Sequence, residues 1–263
     1  MKYPLSAGEL SLLSVNCTLE IPEHWSQGRA TYGGMLASMM LRALEKQVDT
    51  AGILRHASVS FIAPAGPGLL ELHIQCLREG RNVAFYLITA VQETIVATME
   101  VTLARGRDSA VRSADVYHQI NESPEHLPAF SFGQDIHLEF AEHFDMRWAS
   151  GALPFSQTED WQFSGWIKAK KTGLILHPSS LLMLADAWPP SGLAPLEEPV
   201  PMSTVNWSID FELPLAGFDE SDWFRYEADT VSTRDGYTVI NDQLFNQAGQ
   251  RLLTTRQLVA IFG

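Results

Sequence analysis

Hydrophobic positions along the chain switch between two periods, and the switch happens twice. Residues 15–20 form a first strand-length run. In "GGMLASMMLRALEKQ" (residues 33–47), Met35, Met39, Leu41 and Leu44 recur at helical spacing, with the small Ala37 and Ser38 between them. That pattern predicts a helix, opened by a glycine pair and closed by a polar Glu-Lys-Gln. Four strand-like segments follow: "HASVSFIAP", "LLELHIQCLRE", "NVAFYLITAVQ" and "IVATMEVTLAR". They are rich in β-branched and aromatic residues, and the first two stop at Pro64 and Gly80. Residues 106–131 lose this character; they are polar, hold two prolines and show no period, which predicts a linker.

The second half runs through the same order. "IHLEFAEHF" and "WQFSGWIKAK" have strand character. "PSSLLMLADAW" predicts a helix near residues 179–188, with Pro178 suited to a helix start. "STVNWSIDFEL", "WFRYEADTVST", "GYTVINDQLFN" and "RLLTTRQLVAIF" predict four more strands. Local matches accompany this order. "SFIAP" (60–64) pairs with "DFELP" (210–214) at an offset of 210 − 60 = 150, and Arg78-Glu79-Gly80 with Arg234-Asp235-Gly236 at 234 − 78 = 156. An offset that long is not a solenoid period. It implies a duplicated α+β unit, one helix wrapped by a curved antiparallel sheet. Two copies joined edge to edge would remove two exposed strand edges. The expected division is residues 1–105, a linker at 106–131, and residues 132–263.

Charge and composition narrow the function. The net charge of −13 and the scattering of the 18 Lys and Arg argue against nucleic acid, which requires a basic stripe. No apolar run approaches the roughly 20 residues of a membrane helix, so no membrane partner is expected. The first residues make a poor secretory signal. Two cysteines, Cys17 and Cys76, give neither a disulfide framework nor a metal spacing, which fits a cytoplasmic location. Motifs for nucleotide or dinucleotide binding, a serine-hydrolase elbow and a zinc-protease helix are all missing, and the eight histidines are dispersed. No metal and no cofactor are expected.

Three polar residues of the second half stand out. Asp186 sits at the end of an apolar helix, where the helix dipole disfavours a carboxylate. Strict alternation along "TVNWSIDFEL" puts Thr204 on one face with Asn206, Ser208 and Asp210, opposite Val205, Trp207 and Ile209. Gln257 shares its face with Leu253, Thr255, Val259 and Ile261, so a buried amide there needs hydrogen-bond partners. Taken singly, each has an ordinary reading as a solvated, strand-forming or structural residue.

The sequence resembles the acyl-CoA thioesterase II family, which has a double hotdog fold. "YGGMLASMML" (32–41), "SVSFIAPAGPG" (58–68) and "LREGRNVAF" (77–85) carry the resemblance, which runs through most of the chain. It implies a catalytic Asp on the second helix, a Thr or Ser on the next strand and a Gln on the last, which fall in order on Asp186, Thr204 and Gln257. The family's Asp-His pair after the Thr is absent; the chain reads Asn206-Trp207 there. By this resemblance the substrate is an acyl-CoA, hydrolysed by an activated water. Asp186 would act as general base, with Thr204 and Gln257 orienting the water. Gly33 and Gly34 would allow close backbone approach to the thioester, and Met35 would line the acyl channel with its neighbours. Arg78, Arg81 and the 168–171 cluster would meet the CoA phosphates. Two alternatives remain: a non-catalytic acyl-CoA or acyl-carrier binding protein, and a hydratase or dehydratase pairing His56 with Asp186. A homo-oligomer is left open.

Overall fold

A computed structural model of the chain describes residues 14–50, 53–111, 118–132, 138–170, 177–212 and 222–262. Its first half holds β1 (Ser14–Ile21), the short strands β2 (Ser26–Gln27) and β3 (Ala30–Thr31), α1 (Gly33–Glu45), β4 (Leu54–Phe61), β5 (Gly68–Glu79), β6 (Val83–Val91) and β7 (Ile95–Ala104). The second half holds β8 (Phe144–Gly151), β9 (Gln162–Ala169), α2 (Pro178–Ala185), β10 (Met202–Phe211), β11 (Phe224–Arg234), β12 (Tyr237–Phe245) and β13 (Arg251–Ile261).

Eleven of the strands form one sheet in the order β1-β5-β6-β7-β4-β10-β13-β12-β11-β9-β8. Every pairing is antiparallel. The order is mirrored about the β4–β10 joint: the first strand after each helix lies at the centre, and the other three follow outward in reverse sequence order. Backbone pairing at the joint runs from Asn206 opposite Ser60 to Asp210 opposite His56. Side chains reinforce it on the outer face, where Asn206 Nδ2 donates to Ser60 Oγ at 2.9 Å and His56 Nδ1 lies 2.8 Å from Asp210 Oδ1.

The two helices lie side by side and antiparallel. Tyr32, just before α1, donates its hydroxyl to the Met183 carbonyl late in α2 at 2.6 Å. At the other end Glu45 accepts from the Ser179 amide at 3.0 Å and the Ser179 hydroxyl at 2.8 Å, which places a carboxylate on the open N–H groups that begin α2. The pattern that predicted α1 also explains its packing. Leu36, Ala37, Met40, Leu41 and Leu44 are buried on it, and the small residues Gly34, Ala37 and Ser38 leave room for close contact. Alternate strand residues such as Val59, Leu70, Leu72, Ile88 and Met99 complete that core with no exposure.

Two expectations need correction. "IHLEFAEHF" is not a strand where it is described: Glu139–His143 is a 3-10 turn. A strand would put Glu142 on the same inward face as Phe140 and Phe144. The turn instead buries the two phenylalanines and stacks Phe140 on Tyr32 at 4.1 Å. The strand actually present there is β8, whose Phe144, Met146 and Trp148 alternate as buried residues. α2 also ends three residues early, at Ala185, with Asp186 as its C-cap. The described part of the expected linker lies along the second half, His118 bonding the Gly249 carbonyl and Phe130 that of Met146, both at 2.9 Å. Among the described residues no helix is long and apolar enough to cross a membrane.

Candidate active site

A cleft of about 240 Å³ opens between the halves, lined by Gly33, Leu36 and Phe61 from the first and by Asp186, Thr204, Gln257 and Val259 from the second. Residues 18 and 53 positions apart in sequence (204 − 186 and 257 − 204) therefore share one cavity.

Asp186 is explained by the antiparallel helix pair. Its own N–H still closes α2, donating to the Leu182 carbonyl at 3.1 Å. Its carboxylate meets the start of α1, where it accepts a hydrogen bond from the Gly34 amide. The unfavourable negative end of one dipole is thus offset by the positive end of the other. The side chain is half-buried, with its remaining exposure toward the cleft. Burial pushes its carboxyl up to about 7; the Gly34 and Gln257 hydrogen bonds oppose this and the nearby charge of Asp242 adds to it.

Thr204 reaches the site by a route that strict alternation does not provide. Thr204 pairs with Val259, but Asn206 pairs with Leu258 and Trp207 with Gln257, so Val205 is an extra residue in a β-bulge. The bulge turns Thr204 onto the inward face with Trp207, away from Asn206, Ser208 and Asp210. Its hydroxyl donates to Gln257 Oε1 at 3.1 Å. Gln257 is 8% exposed, and its amide lies beside both Asp186 and Asp242, where it favours their ionised forms against the effect of burial.

Asp242 is the residue that sequence reasoning missed. It sits on β12 at 1% exposure and accepts the Tyr226 hydroxyl at 2.7 Å and the Thr255 hydroxyl at 3.0 Å. Burial pushes it up to about 7 against those bonds. Its signal was present in the alternation, because Thr238, Ile240, Asp242 and Leu244 form the buried face of β12. The Tyr226 and Tyr32 hydroxyls, raised well above their ordinary value chiefly by burial, remain protonated donors.

The other expected site residues divide. Gly33 lines the cleft, where an added methyl would come within 2.9 Å of Asp186 Oδ2. Gly34 contributes its N–H to Asp186 instead of facing the cavity. Met35 lies with Met39, Met183 and Trp25 in a separate apolar groove of about 450 Å³ on another face of α1. Arg78 and Arg81 are exposed near the β5–β6 turn and do not line the cleft. The Lys168 ammonium lies over the Trp223 ring at 4.6 Å, and Lys171 is outside the described residues. Arg29 is exposed on the turn between Gln27 and Ala30, which both line the cleft. His56 is not a partner of Asp186. It faces outward to Asp210, and no histidine among the described residues lines the cleft.

A hotdog sheet around paired helices, with a carboxylate, a hydroxyl and an amide meeting in a cleft between halves, is an arrangement suited to acyl-thioester chemistry. Comparison with known proteins gives the family and the fold. Profiles for the acyl-CoA thioesterase N-terminal and C-terminal domains match residues 21–117 and 122–261, and the chain belongs to the acyl-CoA thioesterase family. Among solved structures it is similar to a conserved protein of unknown function with a hot dog fold from Alicyclobacillus acidocaldarius. The two are 22% identical over 94% of this chain and 93% of that one, with a TM-score of 0.82. It is also similar to an acyl-CoA thioesterase II from Mycobacterium marinum, at 14% identity over 99% and 96% with a TM-score of 0.72. A tesB protein from Mycobacterium avium is 15% identical over 98% and 100%, with a TM-score of 0.70. At these identities the likeness establishes the hotdog fold alone. No curated protein compared with the chain matches it in sequence.

Proposed function

We propose that this protein hydrolyses an acyl-CoA thioester to the free acid and CoA, on a fold made of two joined hotdog repeats. The observation that carries this reading is the convergence of Asp186, Thr204 and Gln257 on one cleft, with Asp186 poised near 7. A base working at neutral pH is most effective when its pKa is close to the operating pH. The hydrogen-bond directions support the same chemistry. Thr204 donates its hydroxyl hydrogen bond to Gln257 Oε1, so its oxygen retains acceptor capacity. A water in the cleft then donates one proton to Asp186 and the other to Thr204 Oγ1, leaving an oxygen lone pair for the substrate.

In the reaction that oxygen bonds to the thioester carbonyl carbon as Asp186 takes the proton. The tetrahedral intermediate collapses, the C–S bond breaks with its electron pair going to sulfur, and Asp186 returns the proton to the leaving thiolate. The two free cysteines fit the reducing cytoplasm proposed for the protein. The test is thiol release from a panel of acyl-CoAs of increasing chain length. Turnover of at least one member is expected. Binding of acyl-CoA with no thiol released from any of them would replace the hydrolase with a binding protein.

A further inference from the structure

Asp242 does not line the cleft, yet its position is costly. A buried carboxylate survives only where hydrogen bonds compensate. Two hydroxyls donate to it, Tyr226 to Oδ1 at 2.7 Å and Thr255 to Oδ2 at 3.0 Å, and the Gln257 amide beside them lowers its carboxyl as a third polar neighbour. The three come from the neighbouring strands β11 and β13, and Thr255 is its direct backbone partner.

The consequence lies in the orientation of Gln257. A glutamine amide has two N–H donors on Nε2 and one acceptor oxygen, and it could sit either way round. An ionised carboxylate, the form that prevails above about pH 7 here, only accepts. With the Thr204 hydroxyl donating to Oε1, Nε2 is left facing the side of the two carboxylates, whose ionised forms accept from it. In the reversed orientation Nε2 would face Thr204, the threonine oxygen would be occupied as an acceptor, and the water would lose that partner. Asp186 would lose a donor in the same turn.

We propose that Asp242 is a positioning residue: it locks the Gln257 amide in the one orientation that lets Thr204 and Asp186 hold the attacking water between them. This rests on the thioesterase reading. The titratable groups facing Asp242 are Asp186 after α2, Tyr226 on β11 and, beyond Tyr226, Tyr32 before α1. The Asp242 charge also raises the Asp186 carboxyl, so its removal shifts the pH profile while loss of the amide orientation lowers kcat.

The experiment compares wild type, Asp242→Asn and Asp242→Ser, using the best acyl-CoA of the panel. Asparagine keeps the shape but presents a donor as well as an acceptor, which permits the reversed amide. Serine removes the charge in a smaller side chain and serves if the asparagine variant fails to fold. We expect kcat to fall about tenfold or more with KM within about threefold, the signature of an interaction that matters in the transition state. The acid limb of the kcat/KM profile should move to lower pH, because a neighbouring negative charge is gone. A purely structural role would lower the melting temperature and leave kcat unchanged, with the limb moved by the lost charge alone. A folded variant with wild-type kcat overturns the proposal, wherever its limb lies. A wild type that hydrolyses no acyl-CoA overturns the thioesterase reading instead. In that case a carbon-13 NMR titration of Asp186 in wild type and variant still shows whether the two carboxylates are coupled.

Discussion

Replacing Asp186 by Asn should raise stability at alkaline pH while it abolishes turnover. The carboxyl stands at about 7 in the folded protein against an ordinary value of 3.8. Between these values the folded state holds a proton that the unfolded state has lost, so stability declines as pH rises from about 4 to about 7 and then levels off. The difference is about 3 units, and at 1.36 kcal/mol per unit this sets an upper figure of about 4 kcal/mol above pH 7. The carboxylate faces an open cleft, and part of its shift comes from the Asp242 charge, so about 2 kcal/mol is the better expectation. Asn abolishes the titration at this position and leaves that of Asp242. Urea unfolding of both proteins at pH 4.5 and pH 8 measures the effect. The two should be close at pH 4.5, with the variant ahead at pH 8. Thiol release should drop by about 10²–10⁴, the usual contribution of a general base. A variant that is less stable than wild type at pH 8, with turnover intact, would refute both the buried-base account and the role of Asp186.

Other outcomes follow from the same geometry. The kcat/KM of the wild type should rise with pH through about 7, as Asp186 loses its proton, and a flat profile from pH 5 to 8 in a thiol-release assay would contradict this. Gly33→Ala puts a methyl 2.9 Å from Asp186 Oδ2 and 3.4 Å from Phe61 Cζ, so turnover should fall by an order of magnitude or more while the melting temperature changes little. Gly34→Ala meets the Tyr32 hydroxyl at 2.5 Å in the packed helix interface and should cost about 1–3 kcal/mol of stability in urea unfolding. Thr204→Val keeps the shape, removes the hydroxyl and should lower kcat more than it changes KM for the same acyl-CoA.

Much of this protein is local in origin and was therefore legible in the sequence. The helical spacing of α1, the alternation of β4–β7 and β10–β13, and the repeated order of elements all follow from side-chain periods, which depend only on near neighbours. The family resemblance pointed to Asp186, Thr204 and Gln257 one by one. What the sequence left open depends on long-range pairing. The bulge at Val205 reverses the face of Thr204, and only the register against β13 reveals it. Asp186 acquires its partner from an antiparallel helix more than 130 residues earlier in the chain, a relation that no local pattern encodes. Met35 has helical spacing like the rest of α1, but the direction in which α2 and the sheet approach sends it to another groove. Asp242 reads as one more polar residue on a strand until β11 and β13 bring Tyr226, Thr255 and Gln257 around it. Periodicity fixes which residues turn inward together. Register and helix packing decide which of those inward residues meet, and it is those meetings that shift the carboxyl groups and orient the amide.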